Sequence, residues 1–198
     1  MLHQSCIAPR LCHMRTLGLI LATPVGIAEH ESRSMLRIHP IDHSDSGVAR
    51  QIHALLHMAH AQEAQHLGRH GQAGAARSAE DIQASVAFYL GAFEGDSLVG
   101  AASIAPDDEP GQIAIAMLCV APACQRRGIG RSLVVEALRR GETMAFAVSA
   151  AADNTAALAL YRGLGFVAYR RGALGIDRLA MVKLRRDAMP VTIQVKPS

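Results

Sequence analysis

The chain has 198 residues, of which 50% are hydrophobic and 19% are charged. This length suits one domain of about 100–200 residues, which buries a full core without disulfide bonds or a structural metal. The composition excludes a disordered chain, and no uninterrupted apolar stretch reaches the roughly 18–20 residues of a membrane span. The formal net charge of +3 comes mainly from arginines dispersed in short pairs, unlike the clustered basic face of a nucleic-acid-binding protein. We therefore expect neither a membrane nor a nucleic acid as a partner.

The predicted strands and helices alternate from Met35 onward. Alternating apolar positions indicate strands, and apolar positions three and four apart indicate helices. Asp45 or Ser46 is a candidate N-cap, and Ser78-Ala79-Glu80-Asp81 is typical of a helix start with acidic residues in the first turn. In chain order the predicted elements are a strand at 36–41, a helix at 46–67, a glycine-rich loop at 68–74, a helix from Ser78, strands at 86–94, 97–105 and 112–120, a helix at 128–140, a strand at 144–149, a helix at 154–164, and strands at 166–171 and 179–184. This order predicts a mixed α/β domain with an antiparallel front half and one strand–helix–strand unit.

The two ends of the chain differ from this pattern. Residues 1–34 are interpreted first as an extension translated from an upstream start codon, with Met35 as the first residue of the functional protein. A disordered or docking arm and a secretory signal ending near Ala28 are the alternatives, although Pro24 interrupts the apolar run that a signal needs. Residues 188–198 are interpreted as a tail, so the predicted domain covers residues 35–187.

A basic, glycine-containing turn follows the predicted strand at 112–120. The strand ends at Val120-Ala121-Pro122, and Gln125-Arg126-Arg127-Gly128-Ile129-Gly130 leads into the next helix. N–H groups at a helix N-terminus have no intrahelical partner, the helix dipole adds partial positive charge there, and glycine permits close approach of a phosphate. With countercharge from Arg126, Arg127 and Arg131, the turn predicts a pyrophosphate site. It lacks both the Gly-Lys-Ser/Thr of a Walker loop and the third glycine of a dinucleotide-binding turn.

These residues resemble the Q/R-x-x-G-x-G/A motif of the GNAT family of N-acetyltransferases, in which this turn binds the pyrophosphate of acetyl-CoA. Val120-Ala121-Pro122 matches the strand end V-x-P of that family. Residues 154–166, NTAALALYRGLGF, are similar to its second block N-x-x-A-x-x-L-Y-x-x-x-G-F. The resemblance covers about residues 35–186. It implies a single acyl-CoA N-acyltransferase domain, in which helices flank a mixed central sheet and the fourth and fifth strands splay to form a cleft.

The resemblance also implies roles for individual residues. A bulge in the fourth strand, expected around Met117 to Val120, would free backbone N–H groups for the pantetheine arm and the developing oxyanion. Tyr161 takes the position of a tyrosine beside the CoA sulfur, a general acid, with a packed aromatic as the alternative. Asn154 is expected to cap its helix and to contact the cofactor. The expected acetyl-CoA-binding residues are Leu118, Cys119, Val120, Gln125, Arg126, Arg127, Gly128, Ile129, Gly130, Arg131, Ser132 and Asn154.

The general base is not identified by the sequence. Some family members carry a glutamate on the fourth or fifth strand, but residues 112–120 and 144–149 contain no acid. The alternatives are acids elsewhere in the chain, each equally well explained as a solvated surface residue, or a water chain ending at a backbone carbonyl or a histidine. The candidate acids are Glu63, Glu94, Asp107, Asp108 and Glu109.

Histidines and cysteines give little support for a metal. His53, His57 and His60 share one face of the first predicted helix, where they form a solvated rim, take part in the acceptor site or bind a metal. The four cysteines, Cys6, Cys12, Cys119 and Cys124, form no CxxC pair. Free thiols are typical of a reducing compartment, so we expect a cytoplasmic protein without a metal. No histidine or acid near Cys119 or Cys124 in the sequence would activate a nucleophilic thiol.

The sequence therefore predicts an enzyme that transfers the acetyl group of acetyl-CoA directly to a primary amine, without an acyl-enzyme. The acceptor is a small molecule or a peptide, and the sequence does not choose between them. The alternative is a CoA-binding sensor or interaction module with weak catalysis. Members of the family are often dimers, which leaves a homodimer as an open expectation.

Overall fold

The computed structural model describes residues 35–66, 77–175 and 178–188. Its strands are β1 (Leu36–Pro40), β2 (Phe88–Glu94), β3 (Ser97–Pro106), β4 (Gln112–Val120), β5 (Ala145–Ala151), β6 (Val167–Leu174) and β7 (Leu179–Arg186). Its helices are α1 (Ser46–His66), α2 (Ala79–Gln83), α3 (Ile129–Arg140) and α4 (Thr155–Arg162), and a 3-10 turn spans Pro122–Cys124. The predicted order of strands and helices is confirmed. The predicted extension at 1–34, the loop at 68–74 and the tail from residue 189 lie outside the described residues.

Three helices begin at side-chain caps, of which the sequence predicts those at Asp45 and Asn154. The Asp45 carboxylate accepts hydrogen bonds from the N–H groups of Gly47 and Val48 at 2.8 and 2.9 Å, and so caps α1. Ser78 and Asp81 form a capping box at the start of α2. The Asn154 side chain accepts a hydrogen bond from the N–H of Ala157 at 3.0 Å, at the start of α4. Local polar residues therefore fix where the helices start.

The seven strands form one sheet in the order β1-β2-β3-β4-β5-β7-β6, in which β4 and β5 are parallel and every other pair is antiparallel. One face of the sheet packs against α3 and α4, in a cluster that includes Leu133, Phe146 and Leu184. The other face carries α1 and α2 over β2, β3 and β4, around Ile52 and Ile82. No helix in the described part of the chain is long and apolar enough to cross a membrane.

The sheet opens between β4 and β5. The two strands pair only from Gln112–Ala145 to Ala114–Ala147, so they separate toward their carboxyl ends. The pairing of β3 with β4 shifts between Ser103–Met117 and Ile104–Ile115, which leaves Ala116 as the extra residue of a bulge. The expected cleft is present, but the bulge precedes the predicted Met117–Val120 by one residue. Its position is set by cross-strand register, which the local sequence does not contain.

Candidate active site

The turn between β4 and α3 is held in a left-handed backbone conformation. Arg126 has a φ of 63° and Gly128 a φ of 84°. Such an angle is ordinary for glycine but costs energy for arginine, and strained residues of this kind concentrate at functional sites. The first helical hydrogen bond of α3 runs from the N–H of Ser132 to the carbonyl of Gly128 at 2.9 Å. The N–H groups of residues 129–131 therefore have no intrahelical partner and are available to an anion at the open end of the cleft.

The three arginines of this turn differ in their partners. Arg126 is exposed and bonds to none of the residues that the structure describes. Arg127 forms two hydrogen bonds with the Glu94 carboxylate, at 2.6 and 3.2 Å. Arg131 donates to the carbonyl of Gly163 at 3.4 Å. Positive charge is thus available mainly at Arg126, whereas Arg127 ties the turn to the end of β2.

Gln125 connects the turn to two other elements. Its side-chain nitrogen donates to Gln62 of α1 at 2.6 Å and to the carbonyl of Val120 in β4 at 3.3 Å. Gln62 and Gln125 are 63 residues apart, so no local pattern predicts this contact. The hydrogen bonds hold the start of the turn against both the sheet and α1.

Residues at the end of β4 alternate between the two faces. Leu118 and Val120 are half-buried and pack against the cluster under α3 and α4, whereas Cys119 is buried under α1. A Cβ atom placed on Gly130 would lie 3.7 Å from Val120 and 3.8 Å from Leu160 of α4. The start of α3 therefore lies directly between β4 and α4.

Tyr161 lies on α4 and is 5% exposed. Its ring meets Phe166 edge to face, with 5.6 Å between ring centroids, in the same buried cluster as Ile129 and Val148. Packing of this kind agrees with both interpretations of Tyr161, a general acid and a core aromatic. Asn154 caps α4, as predicted, at the same end of the sheet as the anion site.

The acids before β4 are engaged in ion pairs. Burial raises the pKa of Asp107, but hydrogen bonds from Lys183 and from the N–H of Glu109 outweigh it, so the pKa lies below its usual value. A hydrogen bond from Tyr169 lowers the pKa of Glu109 and outweighs burial. A carboxylate with a lowered pKa is a weaker base, so neither acid suits a general base. Glu94 is held by Arg127, and the Glu63 side chain lies outside the described part of the chain.

The thiol of Cys119 is not activated. Burial raises its pKa to about 12, and it contacts the carbonyl of Ala101 at 3.7 Å. A thiol with this pKa is uncharged near neutral pH and is a poor nucleophile. Among the histidines, the rings of His53 and His57 lie 6.2 Å apart. The described residues contain no group of three or more histidines, cysteines or acids that would hold a metal.

Two parallel strands that separate beside a helix N-terminus with a nearby arginine leave room for a long ligand with a phosphate at one end. The sequence profile of the Acetyltransferase (GNAT) family matches residues 47–166. The chain therefore belongs to the GNAT acetyltransferase family. The predicted family and fold are confirmed.

Two curated relatives match parts of the chain. N-alpha-acetyltransferase RimI of Mycobacterium tuberculosis is 38% identical over 104 residues, which are 50% of this chain and 66% of that protein. An uncharacterised protein of Mycobacterium leprae is 38% identical over 80 residues, 39% of this chain and 22% of that protein. The matched segments thus span less than two thirds of either relative. The crystal structure of the ribosomal-protein-S18-alanine N-acetyltransferase from Escherichia coli shares the fold, with a TM-score of 0.62, 16% identity, and coverage of 82% of this chain and 100% of that one.

Proposed function

We propose that this chain transfers the acetyl group of acetyl-CoA directly to the α-amine at a polypeptide N-terminus. Family membership supports the acetyl transfer, and the names of two similar proteins support an N-terminal acceptor. The observation that carries the proposal is the left-handed turn, with its unpaired N–H groups beside the gap between β4 and β5. The free thiols of Cys119 and Cys124 fit a cytoplasmic location.

The turn and β4 divide the binding of acetyl-CoA between them. The N–H groups of residues 129–131 and the Arg126 guanidinium receive the pyrophosphate. Beyond Ala114, the edge of β4 that faces the gap offers its backbone groups to the pantetheine arm. Arg127, because it already bonds to Glu94, keeps the turn in place and adds little charge. The acetyl thioester then lies in the gap, near the bulge at Ala116.

The transfer needs no covalent intermediate on the protein. The neutral amine attacks the thioester carbonyl, so that a C–N bond forms as the C–S bond breaks. Backbone N–H groups of β4 stabilise the negative charge that develops on the carbonyl oxygen. Tyr161 gives its phenolic proton to the departing thiolate, the attacking nitrogen loses a proton to water, and the Tyr161 phenolate then takes a proton back from water. Because the Cys119 thiol is buried and uncharged, it does not compete as a nucleophile.

Among the residues that the structure describes, the pairing of Glu94, Asp107 and Glu109 favours an α-amine as the acceptor. These acids are ion-paired, so no carboxylate among them removes a proton from the ammonium form of the acceptor, and the amine must lose this proton to water. An α-amine has a pKa of about 7.7–8.0 and is on the order of one-third neutral at pH 7.5, whereas a lysine side chain, with a pKa of about 10.4, is neutral about one part in a thousand. A site with water as its base therefore discriminates against lysine by a factor of a few hundred.

Two matched peptides test the acceptor. One has a free N-terminal alanine and no lysine, and the other has the same sequence with a blocked N-terminus and one internal lysine. Thiol release from acetyl-CoA should be rapid with the first, rise with pH to about 8, and be at least about 100-fold slower with the second. Faster reaction with lysine would contradict the proposed acceptor. Tight acetyl-CoA binding without thiol release from any amine would support the sensor alternative.

The variant Tyr161→Phe tests the proposed acid. It keeps the packing against Phe166 and removes only the hydroxyl group. If Tyr161 protonates the thiolate, kcat should fall by about 100-fold, with the Kd of acetyl-CoA within twofold of the wild type. An unchanged kcat would leave Tyr161 as a packed aromatic.

A further inference from the structure

A buried ion pair lies at the closed end of the gap between β4 and β5. The Lys183 ammonium group donates to the Asp107 carboxylate at 2.6 Å and to Glu109 at 3.4 Å. The side chains of Lys183 and Asp107 are only 11% and 3% exposed. We call the Lys183–Asp107 pair the clamp. Its two residues are 76 positions apart in the chain and belong to neither motif block.

The clamp spans three strands. Lys183 of β7 pairs with Ser149 of β5, whereas Asp107 lies in the connection from β3 to β4 and its N–H donates to the carbonyl of Gln112. Because β5 lies between β4 and β7 in the sheet, the bond from Lys183 to Asp107 crosses over β5. It runs from the level of Gln112, where β4 begins to pair with β5, to the level of Ser149, two residues beyond the last pair at Ala147.

Further contacts fix Asp107 in place. Its carboxylate accepts hydrogen bonds from the N–H of Glu109 at 2.9 Å and from the Gln112 side chain at 3.3 Å. Glu109 in turn accepts from the Tyr169 hydroxyl of β6 at 2.9 Å. The ends of β4, β6 and β7 thus meet in one hydrogen-bonded cluster around the clamp.

The clamp borders an open groove. Val182 and Leu184 face the cluster under α3 and α4, so Lys183 points to the opposite face of the sheet. There, Lys183 lines a groove of about 190 Å³ together with Ser149, Arg170 and Met181. Ser149 of this groove lies two residues beyond Ala147, the last residue of β5 that pairs with β4. The groove therefore reaches the strand that borders the gap, on the face opposite α3 and α4.

Stability does not explain the clamp. Removing two charges from water offsets most of their attraction, and apolar residues of similar size commonly replace a buried pair without loss of stability. Such pairs can instead select one geometry among several. Here the geometry is that of a parallel junction of only three residue pairs, beyond which no backbone pairing holds β5 to β4.

We propose that Lys183 and Asp107 are positioning residues, whose bond holds β5 and the groove beside Ser149 at the angle to β4 that brings the acceptor amine to the thioester. This inference rests on the proposed function. The pyrophosphate turn follows the far end of β4, so binding of acetyl-CoA does not depend on the clamp, whereas delivery of the amine does.

The double variant Asp107→Ala/Lys183→Met tests the clamp in the full chain. It removes both charges together, so that neither partner of the pair leaves the other as an unpaired buried charge. With the alanine peptide, kcat/KM for the amine should fall at least about tenfold, while the Kd of acetyl-CoA stays within twofold. Lys183→Arg, which keeps a donor for Asp107, should recover most of the rate. The matched control Arg185→Met/Asp187→Ala removes an exposed pair from the end of β7 and should leave the rate unchanged.

Hydrogen exchange without any substrate separates the clamp from the proposed function. In the double variant, the amides of residues 112–114 and 145–147 should exchange at least about tenfold faster, while those of α3 keep the wild-type rate. If the wild type acetylates no amine, the proposed function fails, and hydrogen exchange alone then tests whether the clamp holds β5 against β4. Unchanged exchange at these amides would overturn the clamp. A parallel loss of acetyl-CoA affinity and turnover would also overturn it, because that result indicates general damage.

Discussion

Replacing Gly128 by alanine tests the backbone geometry of the pyrophosphate turn. Gly128 has a φ of 84°, and a Cβ atom there would meet no other atom within 4 Å. The cost is therefore conformational, about 1–2 kcal/mol for a non-glycine residue in the left-handed region. The free energy of unfolding should fall by that amount, and Tm by about 2–8 °C. If the turn relaxes instead, the N–H groups of residues 129–131 move, and loss of one charge-assisted hydrogen bond weakens acetyl-CoA binding at least about tenfold.

The matched control is Gly130→Ala in the same motif. Its Cβ would make ordinary contacts at 3.7 and 3.8 Å within a regular helix, and alanine is favoured over glycine in a helix by up to about 1 kcal/mol. Gly130→Ala should therefore be neutral or stabilising and should keep the acetyl-CoA affinity. Thermal unfolding without ligand and calorimetric titration with acetyl-CoA measure both variants. Equal effects of the two substitutions, or no effect of Gly128→Ala on either quantity, would refute the reasoning.

Three further predictions follow from charge and burial. Arg126→Ala should weaken acetyl-CoA binding several-fold, as measured by calorimetric titration. Arg127→Ala should weaken it less, because Arg127 already bonds to Glu94. Equal losses of affinity in the two variants would contradict this prediction. Hydrogen bonds from Arg139, above all, and from Arg140 lower the pKa of Glu136 from 4.5 to about 2 despite partial burial. The ionised carboxylate therefore stabilises the folded state fully above pH 4.5, and this stabilisation is lost as the pH falls toward 2. Glu136→Gln should destabilise the protein at pH 6 but not at pH 2, as measured by urea unfolding, and a difference that does not depend on pH would argue against the pairing. Cys119, whose pKa burial raises to about 12, should react with iodoacetamide only after unfolding, as mapped by mass spectrometry, and rapid labelling of the native chain would contradict its burial.

The sequence predicts most of the fold because the signals for it are local. Asp45, Ser78 and Asn154 cap their helices through residues two or three positions away. The turn that follows Pro122 contains its glycines and arginines within one short stretch. Periodicity and capping therefore predict the order of the elements, and the motif predicts the place of the anion site.

Local sequence patterns do not predict contacts between residues that are far apart in the chain. Arg127 and Glu94 are 33 positions apart, and Lys183 and Asp107 are 76 apart. Charge pairing over such separations depends on the order of strands in the sheet, which places β7 between β5 and β6. The same limit explains the bulge, which cross-strand register moves to Ala116. Four of the acids that the sequence offers as bases, Glu94, Asp107, Asp108 and Glu109, become ion-pair partners once this topology is known.

We propose that the turn at residues 125–131 binds acetyl-CoA, whose acetyl group is then transferred to an amine. Calorimetric titration of the folded full chain with acetyl-CoA, with CoA and ATP as comparisons, tests it most directly. We expect micromolar binding of acetyl-CoA and of CoA and much weaker binding of ATP. Addition of the alanine peptide should then release the thiol of CoA. The absence of any binding heat or competition in a folded sample would contradict it.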